Sequence, residues 1–264
     1  MDPIAQMKAA AREGWATFAP FEMLTASVAP ELVRFAGVAA GQRVLDIGCG
    51  TGVVALTAAR TGAKVIGSDL TPALLEIARA NAGLAGLTLS FDEADVEALP
   101  YADASFDVVL SQFGHMFGPR PDVTAAEMLR VLRPGGTIAF STWPPELYTG
   151  RMFSVVGRYS PPPPPGVSSP VEWGDPTVVR ARLGEAVTEL TFDRGCMRFP
   201  ALSPAHARAF MERNAAPVSR LVQQLGAEAE KLAAFRAEFD ALIAAYFRDN
   251  IVRQDFLMSR ARKR

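Results

Sequence analysis

Residues 44–52, with the sequence V-L-D-I-G-C-G-T-G, place a carboxylate beside a glycine-rich turn. Asp46 lies near the end of a short apolar segment. The glycines that follow it are Gly48, Gly50 and Gly52. An Ala-rich run at residues 53–60 comes next, so the pattern predicts a strand, a tight turn and a helix. Because glycine lets a ligand approach the backbone closely, and helix amides favour a negatively charged ligand group, the turn predicts a site for a nucleotide-like molecule.

The spacing of these glycines argues against a dinucleotide. The dinucleotide fingerprint has glycines at its first, third and sixth positions, and Val53 occupies the sixth position here. Asp46 would repel a pyrophosphate, whereas its charge suits an ammonium or a sulfonium group. A ribose and adenine joined to both of these cations, without phosphate, describe S-adenosylmethionine. We therefore expect S-adenosylmethionine as cofactor and S-adenosylhomocysteine as its product.

Two further carboxylates occur where this ligand needs them. Asp69 ends a second apolar strand, predicted at 63–69, and lies 21 residues after Gly48. That is the expected distance for a carboxylate that accepts both ribose hydroxyls. Asp95 follows a short strand predicted at 87–91 and is placed to accept from the adenine amino group.

Strands and helices alternate through residues 41–143. Besides the elements above, the pattern predicts a helix at 72–82 and strands at 106–111 and 136–141. This alternation is typical of an α/β fold with a doubly wound, mostly parallel sheet, whose ligands bind at the carboxyl ends of the strands.

The same residues, about two fifths of the chain, resemble the core of a class I S-adenosylmethionine-dependent methyltransferase. They are similar to the type 11 methyltransferases, which include the ubiquinone and menaquinone biosynthesis enzymes. The motifs that carry the resemblance are D-I-G-C-G-T-G, S-D-L-T-P, A-D-V-E-A-L-P-Y, S-F-D-V-V-L and E-M-L-R-V-L-R-P-G-G. The resemblance implies a Rossmann-like sheet of seven strands with an antiparallel last strand, and helices inserted between the last two strands near the mouth of the site.

The resemblance also implies a set of cofactor-binding residues. Around the methionine part it places Asp46, Gly48, Cys49, Gly50 and Gly52. Around the ribose and adenine it places Asp69, Leu70, Asp95 and Val96, and below the sulfonium Ser111 and Gln112.

The acceptor site is expected just after the strand at 106–111, because methyl transfer needs alignment more than side-chain chemistry. His115 is one of two histidines in the chain, and its ordinary pKa suits a general base. Contact with the substrate and a purely structural role are its alternatives. The residues that could line an apolar acceptor pocket, or alternatively pack in the core, are Phe113, Met116, Phe117, Trp143, Tyr148 and Trp173.

Several absences narrow the acceptor. The segment after residue 111 lacks the Asn/Asp-Pro-Pro-Tyr/Phe sequence of adenine-N6 and glutamine methyltransferases, and it lacks paired carboxylates for Mg²⁺. A net charge of -1 gives no general basic face for nucleic acid. The expected acceptor is therefore a small, fairly apolar metabolite. The alternative is a non-catalytic cofactor-binding or regulatory protein with the same fold.

Composition fits a cytoplasmic enzyme of one domain. The chain has 264 residues, 49% of them hydrophobic. No targeting or membrane-spanning pattern is evident in it. Two cysteines do not make a disulfide framework, and no Cys/His cluster has metal-ligand spacing.

The segments outside the core are predicted as a cover and a completion of the sheet. Residues 1–40 form a helical cover with helices at 4–15 and 21–35, and residues 144–174 form a lid whose five prolines, 161–165, are extended. Residues 175–264 begin with a helix to about 183. They continue with a strand and turn at 187–199, a helical stretch at 203–248 and a final strand at 251–259. The helical stretch packs on the sheet or on a second subunit of a homodimer, and the basic tail 260–264 is solvated.

Overall fold

The computed structural model describes residues 2–264, and eight strands within them form one sheet. The strands are β1 Arg43–Ile47, β2 Lys64–Asp69, β3 Ser90–Glu93, β4 Phe106–Gln112, β5 Leu132–Thr142, β6 Val187–Pro200, β7 Phe247–Arg248 and β8 Ile251–Lys263. Their order is β3-β2-β1-β4-β5-β8-β6, and the two-residue β7 pairs with β8. Strands β1 to β5 are parallel, whereas β8 lies antiparallel between β5 and β6. The predicted sheet, mostly parallel with an antiparallel last strand, is confirmed.

Ten α-helices within the described range surround this sheet. They are α1 Pro3–Gly14, α2 Glu22–Ala36, α3 Val53–Ala59, α4 Pro72–Leu84, α5 Pro121–Val131, α6 Tyr148–Tyr159, α7 Pro176–Leu183, α8 Pro204–Asn214, α9 Ala216–Gln224 and α10 Ala229–Tyr246. The predicted helical stretch at 203–248 is thus three helices. Ala215 is extended and Pro217 follows in the first turn of α9, where a proline, which lacks an N–H, starts a helix but cannot continue one.

The strand order reverses between β1 and β4, and this creates a crevice at the carboxyl edge of the sheet. The turns that leave these two strands meet there. Gly48 has a φ of +63°, and a Cβ on it would lie 2.7 Å from the Cα of Gly114. Only glycines allow this approach, so the two turns lie closer together than any other pair of residues would permit.

Helices outside the core form a layer above the crevice. Helices α6, α8, α9 and α10 share one hydrophobic cluster, whose largest fully buried members include Tyr148, Phe235 and Phe239. At the amino end of the chain, α1 is tied down by Arg12, whose Nη2 lies 2.6 Å from Oε1 of Glu93. The amino-terminal segment and the helices between β5 and β8 thus lie over the carboxyl edge of the sheet.

Two predictions about the carboxyl end are wrong. The segment at 187–199 is a continuous strand, β6, rather than a strand followed by a turn. The basic tail is not simply solvated, because β8 extends to Lys263 and Ala261 is buried against β5. Its arginines, Arg260, Arg262 and Arg264, alternate with Ala261 and Lys263, because successive side chains of a strand point to opposite faces of the sheet.

No helix in residues 2–264 has both the length and the apolarity to cross a membrane. The same range holds no cluster of three or more His, Cys, Asp or Glu side chains arranged for a metal ion.

Candidate active site

A cavity of about 1400 Å³ opens at the crevice between β1 and β4. Its floor comes from the turns after the parallel strands, and its roof comes from the segment 7–25 and from helices α6, α8 and α9. This volume includes solvent space at the open mouth and is not the volume of an enclosed pocket.

Asp46 is the most unusual polar residue at this site. The side chain is 1% exposed, and within the described residues neither carboxylate oxygen has a hydrogen-bond partner. It lines a small side pocket that adjoins the main cavity and shares Gly48, Gly50 and Gln112 with it. Burial raises the pKa of Asp46 to about 8, the Ala55 amide opposes this shift, and the charge of Asp69 adds to it. A buried carboxylate without a partner is costly, so the arrangement favours a cationic ligand group beside it.

The glycine turn after β1 leaves space at one position only. A Cβ on Gly50, whose φ is +54°, would meet nothing within 4 Å, and Gly50 lines the cavity. A Cβ on Gly52 would instead touch Phe91 and Ala78, and Gly52 is not among the cavity-lining residues of the described chain. Gly52 therefore serves the packing of the turn, while Gly50 presents bare backbone to a ligand.

Asp69 holds two backbone segments together at the carboxyl end of β2. Its Oδ2 accepts from the Gly50 amide at 2.9 Å and its Oδ1 accepts from the Thr71 amide at 2.8 Å. Burial raises the pKa of Asp69, and these amide hydrogen bonds oppose the shift. The carboxylate lines the cavity next to Leu70, and each oxygen keeps a further lone pair for a ligand hydroxyl.

Asp95 is bound to the amino-terminal helix. Nζ of Lys8 on α1 lies 2.5 Å from Oδ2 of Asp95 and 2.6 Å from Oε2 of Glu97. Glu97 is buried and also accepts from the backbone amide and guanidinium of Arg120. Lys8, Asp95 and the adjacent Val96 all line the cavity. The ion pair thus fixes α1 above the part of the cavity where an adenine is expected.

The remaining predicted cofactor residues divide into two groups. Gln112 lines the cavity and donates through Nε2 to the Thr25 carbonyl at 2.9 Å, which leaves its Oε1 without a partner in the described residues. Cys49 lines only the side pocket beside Asp46. Ser111 is fully buried, donates to the Ile47 carbonyl at 2.6 Å and accepts from the His115 amide. Ser111 therefore braces the two turns and is not a lining residue.

One part of the cavity is largely aromatic, and we name it the acceptor half. It is lined by side chains from residues 15–25, 113–117, 143–153, 197–217 and 254. Phe113 has a φ of +63°, rare for a bulky residue, and its ring stacks on Trp143 with centroids 4.0 Å apart. Both residues line the cavity, and their contact with a substrate stays a prediction.

Sequence reasoning missed the aromatic wall supplied by the amino-terminal segment. Trp15, Phe18 and Phe21 all line the cavity from a 3-10 helix at Trp15–Phe21. The three residues recur at every third position, which is the period of a 3-10 helix and puts them on one face. That spacing was a usable signal. Other lining residues were missed because they come from distant segments: Met152, Phe153, Met197, Met211 and Gln254.

His115 does not reach the cavity, and the prediction that it is a general base is not supported. Its side chain is 0% exposed and packs against the rings of Phe140 and Trp173, with centroids 4.5 and 4.9 Å away. Burial lowers the pKa of His115 to about 3, and the Arg182 charge adds to this effect. The loop that leaves β4 turns into a short helix at His115–Phe117, which directs the imidazole into the core.

Met116 and Tyr148 are also core residues rather than substrate contacts. Met116 is 1% exposed and belongs to the main hydrophobic core beneath the sheet edge. Tyr148 is buried against Tyr246, with ring centroids 5.5 Å apart. Among the described residues neither lines the cavity, so the predicted role of each as a substrate contact fails on geometry. Their neighbours Phe117 and Thr149 line it in their place.

The residues present fit S-adenosylmethionine. The buried carboxylate of Asp46 lacks a partner, the Cβ side of Gly50 is open, and Asp69 retains lone pairs, each beside the same cavity. A ligand with a cation, a ribose and a flat base satisfies all three features, whereas a pyrophosphate would face two carboxylates.

Comparison with known proteins agrees with this geometry. Residues 45–140 match the family described as methyltransferase domain. An uncharacterized protein of Mycobacterium bovis is 37% identical over 92% of this chain and 89% of its own length. A demethylmenaquinone methyltransferase of Deinococcus radiodurans is 43% identical over 39% of this chain and 44% of its own length.

A solved structure shares the fold. A proposed methyltransferase from Bacillus halodurans superposes with a TM-score of 0.61 at 21% identity, covering 90% of this chain and 99% of the other. The turn of residues 46–52, the sheet order and these similarities have one explanation: the chain belongs to the class I S-adenosylmethionine-dependent methyltransferases.

Proposed function

We propose that the protein transfers a methyl group from S-adenosylmethionine to a small, fairly apolar metabolite by in-line displacement. One observation carries this proposal. The side pocket that contains the unpartnered carboxylate of Asp46 adjoins a cavity with an aromatic half, and within the described chain no charged side chain lines that half. The two halves suit a cationic cofactor and an apolar acceptor in contact.

We name the rest of the cavity, together with the side pocket of Asp46, the cofactor half, and we assign its residues to the parts of S-adenosylmethionine. Asp46 takes the ammonium group, Asp69 the ribose hydroxyls and Asp95 the adenine amino group. Leu70 and Val96 lie beside the adenine, and the backbone at Gly50 lies against the methionine part. When bound, S-adenosylmethionine supplies an electrophilic methyl group on a good leaving group.

The chain contributes alignment and exclusion of water to the transfer. Across residues 2–264, the charged side chains that line the cavity are Lys8, Asp69 and Asp95, and each already has an ion-pair or hydrogen-bond partner. Since no base faces the acceptor half in this range, the acceptor must lose any proton by its own acidity. Proximity and orientation can supply most of the required acceleration.

Ligand binding provides the first test. S-adenosylmethionine and S-adenosylhomocysteine should raise the unfolding temperature of the protein, because a ligand that binds only the folded state stabilises it. NAD and NADP should leave the unfolding temperature unchanged. Stabilisation by NAD at equal concentration would contradict the cofactor assignment.

Turnover provides the second test and separates an enzyme from a cofactor-binding protein. Incubation with a panel of apolar hydroxylated, ketonic and thiol metabolites should release S-adenosylhomocysteine with at least one of them. Tight binding of S-adenosylmethionine without release for any member would favour the non-catalytic alternative. The Asp46→Asn protein is the matched control, since it keeps the cavity shape and lacks the charge.

A further inference from the structure

Three polar atoms in the acceptor half or at its border with the residues around Asp46 are unsatisfied, and all three belong to neutral side chains. Within the described residues, Nε2 of Gln254, Oγ1 of Thr149 and Oε1 of Gln112 are buried and have no hydrogen-bond partner. All three residues line the cavity. A buried polar atom without a partner costs free energy, so three such atoms around one cavity indicate a ligand that completes their hydrogen bonds.

Gln254 is the best placed of these residues. It lies on β8, its side chain is 3% exposed, and its cross-strand neighbour Met197 on β6 also lines the cavity. A strand in the sheet holds a side chain more firmly than a loop does. The amide therefore projects from a rigid wall that is otherwise apolar.

The charge of the acceptor follows from what surrounds the amide. The cavity-lining cations and anions in residues 2–264, Lys8, Asp69 and Asp95, belong to the cofactor half. Transfer of an ionised acceptor into the aromatic half would cost its hydration without an opposite charge in return. An uncharged acceptor escapes this cost.

The shape of the acceptor follows from the aromatic walls. The rings of Phe113 and Trp143 are stacked within 11° of parallel, and Trp15 lies 4.6 Å from Phe117 between ring centroids. Flat ring surfaces bind flat molecules well, and the amide edge supplies a hydrogen bond in a fixed direction.

We propose that Gln254 orients the acceptor, by donating from Nε2 to a carbonyl, hydroxyl or ether oxygen of an uncharged, flat, ring-containing molecule. Gln112, whose Nε2 is held by the Thr25 carbonyl, offers its Oε1 to a hydroxyl of the same molecule. This proposal rests on the proposed methyl transfer and adds the class of acceptor and the residue that selects it. Gln254 is a specificity residue outside residues 45–140, the range that matches the methyltransferase family.

A series of naphthalene probes tests the class of acceptor. Binding of 2-acetylnaphthalene, 2-isopropenylnaphthalene, 2-naphthoate and 2-naphthylmethylammonium is measured by calorimetry on the protein saturated with S-adenosylhomocysteine. We expect 2-acetylnaphthalene to bind about fivefold or more tightly than its hydrocarbon analogue, as one buried hydrogen bond predicts, and both charged probes to bind more weakly than either. Equal or tighter binding of a charged probe, or binding of none of the four, would overturn the proposal.

Two variants then test the residue. Gln254→Met keeps the length of the side chain and should abolish the preference for 2-acetylnaphthalene, while Gln224→Met, on an exposed position of α9, should keep it. Gln254→Glu should instead favour 2-naphthylmethylammonium and gives a second result if the methionine variant does not fold. A carbonyl preference that persists in Gln254→Met would refute the role of Gln254. If the unmodified protein does not bind S-adenosylhomocysteine, the proposed function itself is refuted. This result is distinct from a failure of the Gln254 proposal alone.

Discussion

The two halves of the cavity hold their polar groups in opposite ways. In the cofactor half, backbone amides fix the carboxylate of Asp69, and a backbone amide and Lys8 fix that of Asp95. The carboxylate of Asp46, in contrast, has no hydrogen-bond partner within the described residues. In the acceptor half the polar side chains are neutral and include the amide of Gln254 and the hydroxyls of Thr25 and Thr149, set among aromatic rings. We therefore expect the cofactor half to bind a cation, and we expect the acceptor half to orient an uncharged molecule.

The halves also differ in how the chain builds them. Residues 46–96 supply most of the cofactor half from successive turns at one edge of a parallel sheet. The acceptor half draws on both ends of the chain and on the layer of helices between β5 and β8. Changes in the first half should therefore act on cofactor binding alone, and changes in the second should act on the choice of acceptor.

The largest effect is expected from Asp46→Asn. The variant leaves the ammonium of S-adenosylmethionine without its charged partner, and loss of one member of a buried charge pair costs about 3–5 kcal/mol. We expect calorimetry to show affinity reduced by about 10²-fold to a few thousandfold. An affinity within threefold of the original would remove Asp46 from the site.

The stability of the ligand-free variant provides a control. Burial raises the pKa of Asp46 from 3.8 to about 8, so the unfolded chain binds fewer protons than the folded protein between these values. Folding stability is therefore lost as the pH rises through this range, and Asp46→Asn abolishes the loss. At pH 8 the ligand-free variant should unfold at a higher temperature than the original protein, which separates a binding defect from a folding defect.

The glycine turn gives the next largest effect and a matched pair. Gly50→Val fills space that is open in the structure, and its positive φ also strains the turn, so it should reduce affinity for S-adenosylmethionine by about a hundredfold or more. Gly48→Val collides with the backbone of Gly114 and should lower stability as well. Circular dichroism distinguishes the two, since only Gly48→Val should lose helical signal at moderate temperature. Normal binding by a folded Gly50→Val protein would place the ligand elsewhere.

Asp69→Ala should reduce affinity by about tenfold or more, because the ribose loses two charge-assisted hydrogen bonds. The structure adds a complication, since the same carboxylate holds the amides of Gly50 and Thr71. A comparison of S-adenosylhomocysteine with its 2′,3′-dideoxy analogue separates these effects. The original protein should discriminate between the two ligands and Asp69→Ala should not.

The pH dependence of binding is the fourth expectation. An ion pair with the ligand ammonium requires the ionised form of Asp46. The pKa of Asp46 is about 8, so in the free protein its carboxyl group is protonated at neutral pH. Affinity for S-adenosylmethionine should therefore rise with pH below 8, by up to about tenfold per unit. At pH 7, calorimetry in buffers of different ionisation enthalpy should detect close to one proton released per ligand bound. Asp46→Asn should abolish this release.

Short-range rules govern where the residues of the cofactor half lie in the fold. A carboxylate at the end of a strand and glycines in the following turn meet their neighbours through the regular geometry of a parallel sheet, so Asp46, Gly48, Gly50 and Asp69 could be placed without the structure. The 3-10 period of Trp15, Phe18 and Phe21 was equally local and could have been used.

The acceptor half could not be predicted in the same way. Gln254 and Met197 face the cavity only because β6 and β8 pair in one register, and a shift by one residue would turn both away. His115 and Tyr148 are polar residues near the expected site, yet a single turn of 3-10 helix and the packing of α6 direct them into the core. Such outcomes depend on contacts between segments far apart in the chain.

The smallest effect is expected at His115, where the sequence alone predicted the largest effect on catalysis. A general base contributes about 10²–10⁴ to turnover, so its removal should be obvious. In the structure the imidazole packs between the rings of Phe140 and Trp173. Burial lowers its pKa to about 3, and the charge of Arg182 adds to this effect.

Two variants test this difference. His115→Phe keeps an aromatic ring in this space, and His115→Leu removes the ring but keeps an apolar side chain. With any acceptor found in the panel, both variants should turn over within about threefold of the original, and His115→Phe should be at least as stable because two unpartnered ring nitrogens are gone. A loss of a hundredfold in both, at unchanged affinity for S-adenosylmethionine and unchanged stability, would mean that the histidine reaches the acceptor during the reaction and that the acceptor half includes the core behind it.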